Sequence, residues 1–406
     1  MKKQLTVFLV VFMSLFACLG HGQTVFESKK FASNSAVLVS DSEGKIIYQW
    51  QAEKKLIPAS VLKILTAQLV IDQWGENHQF HTDFYLENQT LWIKGYGDPF
   101  LISEELDRIV SALIERLQDR QIQAIGIDGS YFQNTNIAGR TKVDDPYNAP
   151  LSAVAANFNT VYLDKNSKRI RSAESQTPLT STAIALGKKI ASGKHRVNVG
   201  DVQTGQQHFA ELLAEKLRSK GMGVDKSVIL SQQVPNDAQL LYQHKNSHDV
   251  NHLLRGALEY SNNFIANQLF MLFGSQPNSS FVDIVLAQKR VTQRLQERYS
   301  GLLRWYNFSI EEGAGLSRKN RLSAEQILDV LHVFEPHKAL LKSYKNGKVR
   351  AKTGTLQGVR TFAGYIDVNT SHGVKTYYFV FLFNDPVPYR FREMLLDELM
   401  ASLNKV

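Results

Sequence analysis

The sequence predicts a mixed α/β protein in which one domain is interrupted by an inserted α+β region. Two observations predict it. Strand-like apolar runs occur near the start, at residues 36–39 and 46–48, and again near the end, at 360–366 and 376–383. Between them lie helix-period stripes and further strand runs, too many for one compact unit in a chain of 406 residues. A hydrophobic content of 43% and a charged content of 21% are those of a globular protein. No internal repeat or low-complexity tract interrupts the pattern.

Residues 1–22 have the layout of an export signal. Lys2 and Lys3 precede an apolar run over 5–19, broken at Gly20 and Gly22. The run is short for a membrane span. Three fates are open: cleavage near Gly22, a retained N-terminal anchor, or lipidation at Cys18. Cys18 is the only cysteine, and Leu15-Phe16-Ala17-Cys18 faintly resembles a lipoprotein processing site, although Phe16 is bulky for one. The cleaved or lipidated form would hold no disulfide in an oxidising compartment.

Residues 23–75 begin the main domain. A polar turn over 41–45 separates two apolar runs and reads as a hairpin. Pro58 then precedes a helical stretch over 60–71. Residues 76–245 form the expected insertion. It holds strands at 80–86 and 90–94, and a helix with Leu106, Ile109, Val110, Leu113, Ile114 and Leu117 on one stripe. A strand at 123–127 and an amphipathic helix at 206–219 follow. Residues 246–406 return to the main domain, with helices at 250–260 and 264–273 and a strand-like run at 349–359. The last helix, 391–403, has an apolar stripe at Met394, Leu395, Leu399 and Leu403. It is expected to cover a sheet rather than lie on a membrane.

Three short motifs carry chemistry. Ser60-Val61-Leu62-Lys63 places a lysine at i+3 from a serine, on the same helix face. A serine hydroxyl is a poor nucleophile until a base takes its proton. Lys63 can be that base if burial and a second cation hold its pKa down; Lys352 is the candidate cation. The helix N-terminus offers free N–H groups to a developing oxyanion. Ser42-Glu43-Gly44-Lys45 matches the same pattern but lies in the polar turn. Ser261-Asn262-Asn263 joins two helical stretches, so Ser261 and Asn263 can face a cleft; a helix cap is the bland alternative. In Lys352-Thr353-Gly354-Thr355, Lys352 and the hydroxyls of Thr353 and Thr355 can hold a carboxylate. Gly354 leaves room for a ligand backbone; a solvated edge strand is the alternative.

In this order, the three motifs resemble the signature of the penicillin-recognising serine enzymes. Further segments narrow the resemblance to D-Ala-D-Ala carboxypeptidases of the type-4 penicillin-binding protein kind. These are Gly95-Tyr96-Gly97-Asp98-Pro99, the stretch from Tyr147 to Ala153, Gly313-Ala314-Gly315-Leu316-Ser317-Arg318, and Lys352 to Gly358. The gap between the first two motifs, 261 − 60 = 201 positions, is long, as in that family. Three positions depart: Glu312 and Ala314 stand where the family usually has Asp and Ser, and Asn262 where it usually has Asp.

The resemblance implies a transpeptidase/β-lactamase-like domain, an antiparallel sheet covered by helices. It implies Ser60 as nucleophile, Lys63 as base and Ser261 as relay to the leaving amine. Asn263, Lys352, Thr353, Gly354 and Thr355 would bind substrate, with the Ser60 and Thr355 backbone N–H groups forming the oxyanion hole. The expected partners are peptidoglycan stem peptides, with β-lactams as covalent inhibitors, and DD-endopeptidase activity needs only a different leaving group. A periplasmic or cell-envelope location is expected, with peripheral or lipid-anchored membrane association as a further option. A β-lactamase would share the motifs but needs an efficient deacylating base, for which no matching acidic loop is visible. A non-catalytic wall- or β-lactam-binding protein is the other rival.

Other classes are disfavoured. The net charge is +9, or 9 − 2 = +7 without Lys2 and Lys3, which suits an anionic wall polymer or membrane surface. The basic residues are scattered and the aromatics lie in apolar runs, so nucleic acid is not expected. His78 and His81 lack further ligands nearby, and no glycine-rich phosphate loop occurs, so no metal or cofactor is expected.

Overall fold

Strand-period alternation at both ends of the chain produces a single sheet. In the computed structural model, Phe26 and residues 30–404 are described, apart from 119, 142–143, 168, 276–278 and 372. The signal-like segment 1–22, with Cys18, lies outside the described residues.

β1 (Ser35–Asp41) and β2 (Ile46–Trp50) form the first hairpin, followed by α1 (Leu62–Trp74). Next come β3 (His81–Glu87), β4 (Thr90–Gly95), α2 (Ser103–Leu117) and β5 (Ile122–Asp128). Then follow β6 (Thr160–Asn166), β7 (Arg169–Ser172), α3 (Ser181–Lys189), β8 (Gly193–Asn198), α4 (Val202–Ser219), β9 (Val224–Ile229) and β10 (Gln239–Lys245). The helices α5 (Val250–Glu259), α6 (Asn263–Leu272), α7 (Ile284–Arg298) and α8 (Ala324–Phe334) precede the last strands. These are β11 (Lys342–Tyr344), β12 (Val349–Leu356), β13 (Val359–Thr370) and β14 (Gly373–Phe383), and α9 (Phe391–Leu403) follows them.

The main sheet has six antiparallel strands in the order β11-β12-β13-β14-β1-β2. β14 shows how its two faces are used. Phe379, Phe381 and Phe383 pack with Leu395, Leu396 and Leu399 of α9, while Tyr378, Val380 and Leu382 face the helical layer. Each fully buried side chain of this kind contributes about 1.5–3 kcal/mol. α9 covers the sheet as expected, but Leu396 takes the place foreseen for Met394, which is 58% exposed.

α1 is the axis of the helical layer. All residues from Leu62 to Val70 are buried, and the helix packs on α5, α6 and α8. It runs three residues past the expected end, to Trp74, and terminates where Gly75 adopts φ 76°.

The middle of the chain builds two further sheets. One has the order β10-β3-β4-β5-β9 and is covered by α2 and α4. β5 pairs in parallel with both β4 and β9, which the hairpin-like reading did not anticipate; α2 and α4 supply crossovers of the kind that parallel pairs require. The other has the order β7-β6-β8 with α3 against it. After β5 the chain leaves its sheet, and Phe132, Ile137, Leu151 and Ala153 join the core cluster that holds α1, α5 and α6. The stretch between β5 and β6 is thus built into the helical layer.

Candidate active site

Ser60 lies in the 3-10 turn Ala59–Val61, one turn before α1 rather than within it. The turn is under close steric control. Ala59 holds a left-handed φ of 46°, and Thr361 Oγ1 donates to the Pro58 carbonyl at 2.8 Å. A Cβ on Gly315 (φ 82°) would lie 1.9 Å from the Ala59 carbonyl oxygen. A Cβ on Gly354 would lie 2.2 Å from Thr361 Oγ1 and 2.8 Å from the Ser60 nitrogen. Gly354 is therefore required by the seating of β12 against the Ser60 turn, not only by a ligand's approach.

Lys63 is fully buried in α1, and its Nζ has three oxygen neighbours. They are Ser60 Oγ at 3.0 Å, Asn263 Oδ1 at 2.7 Å and the Ala314 carbonyl at 2.7 Å. Burial first, and then the Lys352 charge, push the Lys63 pKa well below the usual lysine range; Glu312 opposes the shift. A neutral amine has two N–H bonds and one lone pair. Asn263 Oδ1 and the Ala314 carbonyl can only accept, so they take the two N–H bonds and leave the lone pair facing the Ser60 hydroxyl.

Ser261 sits between α5 and α6 with φ 58°. The motif both caps a helix and contacts the two lysines. Asn262 caps α6, its side chain accepting from the Ile265 N–H at 3.1 Å, which is what the family's usual Asp would do. Ser261 and Asn263, on either side, reach the two lysines. Asn263 Oδ1 fixes Lys63, and its Nδ2 donates to the Tyr147 carbonyl at 3.2 Å.

Lys352 Nζ donates to Ser261 Oγ at 2.8 Å and to the Thr353 carbonyl at 3.0 Å. Burial, reinforced by Arg392 and Lys342, brings its pKa down to about 7. β11 pairs only with Val349, Arg350 and Ala351. From Lys352 to Leu356 that edge of β12 is open, and an extended peptide can add to it. The threonines are placed less simply than expected. Alternation puts Thr353 and Thr355 on the opposite face from Lys352. Arg392 Nη1 donates to Thr355 Oγ1 at 3.2 Å. Their hydroxyls reach a ligand only over the open edge.

Three contributors were not singled out from sequence. Asn267 Oδ1 accepts from the Gly313 and Ala314 N–H groups at 2.8 and 3.1 Å, holding the loop that supplies the Ala314 carbonyl. Glu312 is buried and braces the same loop through Ala314 N, Ser317 N and Asn320 Nδ2. Because Lys63 uses the backbone at 314, the Ala in place of Ser leaves this contact intact. Arg392, on α9, donates to the Gly354 carbonyl at 2.9 Å and the Thr361 carbonyl at 3.3 Å, bracing β12 from behind.

Among the described residues there is no cluster of three or more metal-ligating side chains, and no helix is long and apolar enough to cross a membrane. His78 stacks edge-on to Phe80, with ring centroids 4.9 Å apart. Ser42 and Lys45 lie in the β1–β2 turn, where Asp41 accepts from the Glu43 and Lys45 N–H groups.

The profile of the D-Ala-D-Ala carboxypeptidase 3 (S13) family matches residues 25–192, 187–345 and 337–402. This chain belongs to that family. S13 membership makes it a serine hydrolase of the D-Ala-D-Ala carboxypeptidase class. A D-alanyl-D-alanine carboxypeptidase of Actinomadura sp. (strain R39) is 23% identical over 413 residues, covering 82% of this chain and 75% of the relative. Penicillin binding protein 4 (dacB) of Haemophilus influenzae shares the fold with a TM-score of 0.73 at 20% identity, covering 96% of this chain and all of that one. A predatory peptidoglycan endopeptidase of Bdellovibrio bacteriovorus matches with a TM-score of 0.55 at 13% identity, covering 93% of each chain.

Proposed function

We propose that this S13 member hydrolyses the D-Ala-D-Ala end of peptidoglycan peptides through an acyl ester on Ser60. The observation that carries the reading is the seating of Lys63 Nζ between Ser60 Oγ, Asn263 Oδ1 and the Ala314 carbonyl. Lys63 takes the Ser60 proton as Oγ bonds to the carbonyl carbon of the penultimate D-Ala. The backbone N–H groups of Ser60 and Thr355 receive the oxyanion. As the C–N bond breaks, the proton held on Lys63 passes through Ser261 to the leaving D-Ala amine, which leaves Lys63 neutral again, while Lys352 holds the Ser261 hydroxyl in place at 2.8 Å. The substrate carboxylate beside Lys352 favours the ammonium form, so binding charges the group that clamps it. Water cleaves the ester, and Lys63 serves again as base.

The peptide lies along the open edge of β12, with Asn263 on its other side. The same cleft accepts a D-Ala joined to a diamino acid, which makes DD-endopeptidase activity part of the proposal. β-Lactams, one of which is bound to the Haemophilus penicillin binding protein 4 in a solved structure, enter as acylating mimics. Glu312, the carboxylate that acts on Lys63, already has both oxygens hydrogen-bonded. It is not a free deacylating base, which favours the carboxypeptidase over a β-lactamase. The chain is read as exported to the periplasm or cell envelope. Residues 76–245 are read as the accessory insertion, with the β5–β6 stretch lent to the cleft through Tyr147.

Incubation with purified muropeptides, followed by product analysis, tests the reading. Release of D-Ala by the wild type and its loss in Ser60→Ala is the expected result. Unchanged release by that variant overturns the assignment.

A further inference from the structure

A cavity of about 690 Å³ opens beside the catalytic motif, where α5 and the α5–α6 junction meet the β5–β6 stretch and the start of α2. Tyr260 and Asn262, the two neighbours of Ser261, both line it. Its walls carry four rings: Phe100, Phe158, His252 and Tyr260.

The backbone is held in an unusual shape to present one of these rings. Asn157, Phe158 and Asn159 are all left-handed, with φ 48°, 61° and 52°. Asparagine tolerates that region, whereas phenylalanine rarely adopts it. The surroundings enforce it. Asn157 Oδ1 accepts from the Ser103 N–H at 2.9 Å, Asn159 Nδ2 donates to the Pro150 carbonyl at 2.8 Å, and the Val199 N–H donates to the Asn159 carbonyl at 3.0 Å. The result is a Phe158 ring set edge-on to Phe100, with centroids 5.5 Å apart, and 6.3 Å from Phe264, the residue after Asn263. Strain held by its surroundings points to use.

The polar lining says what kind of ligand fits. Glu104, Glu174 and Glu259 face Arg196 and Arg255 around the same cavity. Arg196 and Glu174 pair with each other. Among the described residues Arg255 has a single long hydrogen bond, to the Ala339 carbonyl at 3.4 Å, and no carboxylate partner. Burial and the neighbouring His248 hold the His252 pKa below the usual imidazole range. Three carboxylates against two guanidinium groups give no net positive field, so the lining does not select an anion. It offers planar donors and acceptors around aromatic faces. A pyranose matches that pattern, with an apolar C–H face for the rings and neutral hydroxyl and acetamido groups for the rim.

We infer that this cavity is a subsite for the N-acetylated hexosamine strand that bears the peptide being cut. The inference rests on the proposed action on peptidoglycan and adds a sugar-reading surface to it. Tyr260 is 79% exposed at the lip, beside the residue that relays the proton. It is the ring a polymeric substrate meets as its peptide enters the cleft.

The probes are the N-acetylglucosamine trisaccharide, followed by saturation-transfer NMR, and two substrates of the same peptide sequence, one free and one carried on a disaccharide. The expected results are saturable trisaccharide binding by the wild type and its loss in Tyr260→Ala and Arg255→Ala. In both variants kcat/KM should fall about tenfold on the glycan-borne peptide and stay unchanged on the free peptide. Absence of trisaccharide binding, with equal turnover of the two substrates by wild type and variants, overturns the inference. An equal fall on both substrates also overturns it, since the residues would then act on the reaction centre. If the wild type cleaves neither substrate, the peptidase reading fails; trisaccharide binding and its loss in the variants would still support the sugar subsite, and no binding would overturn it.

Discussion

Lys352 Nζ and Ser261 Oγ lie 2.8 Å apart although 91 positions separate them in the chain. This contact joins the sheet to the helical layer at the place where a leaving amine needs a proton. It also ties the charge of Lys352 to the chemistry, and a pH dependence follows.

Lys352 is held at about 7 by burial and by Arg392 and Lys342. For a substrate with a free C-terminal carboxylate, kcat/KM should fall as pH rises through that value and the ammonium is lost. An amidated analogue should show no such limb. A shared profile for the two substrates would rule out the clamp. Stability moves the other way. The folded-state pKa lies below the ordinary lysine value of about 10.4, so between the two the unfolded chain binds more protons. Stability from this group therefore rises with pH over that window, and Lys352→Met should make the rise shallower in urea titrations, Lys63 supplying the remainder.

Lys63→Ala should lower acylation by roughly 10²–10⁴-fold, the usual worth of a general base. Lys63→Arg should not rescue it, because a guanidinium cannot give up its proton at working pH. Labelling with a fluorescent penicillin, mapped to the Ser60 peptide, measures both. Full labelling of the arginine variant would show that Lys63 supplies charge and not a lone pair.

Arg392 reaches the reaction through other groups, by bracing β12 and by adding positive charge near Lys352. Arg392→Ala should move the basic limb of the pH–rate profile to higher pH. Arg392→Lys should keep the limb near its original place while lowering kcat, since the lysine keeps the charge but not the forked hydrogen bonds. An unmoved limb in the alanine variant would reduce Arg392 to packing.

Gly315→Ala places a methyl group 1.9 Å from the Ala59 carbonyl in a residue with φ 82°. A loss of about 2 kcal/mol or more is expected from strain and overlap together, read as a lower Tm, with penicillin labelling reduced as the Ser60 turn shifts. Gly301→Ala has no heavy atom within 4 Å of the new methyl and serves as the control. Equal effects at the two positions would sink the argument.

The residues proposed as nucleophile, base and relay stood out because each occupies a short contiguous motif whose residue types have few other uses together. The strands and helices were legible from apolar period, and the family from motif order. What the period could not show is pairing: β5 lies parallel to β4 and β9, and Leu396 rather than Met394 faces the sheet. The supporting residues were illegible for a different reason. Asn267 and Glu312 act on backbone N–H groups of a loop, which leaves no side-chain pattern. Arg392 lies 38 positions from Gly354 and meets it only because α9 folds back over the sheet. Thr353 and Thr355 were read as partners of Lys352 from adjacency, but strand alternation separates neighbours by face.

The order of strands in the main sheet has a consequence for the birth of the enzyme. β14 lies between β13 and β1, and its register joins Ser35 to Phe383. The seam between the two ends of the polypeptide is thus closed by β14, the last of the described strands to be made. Such long-range closure is slow, and the intervening chain must wait with open strand edges. Until the ribosome has passed Phe383, β12 and β13, which meet the Ser60 turn at Gly354 and Thr361, have no complete β14 to join them to β1, so a nascent or C-terminally clipped chain is expected to fold helices before the Ser60 turn is seated.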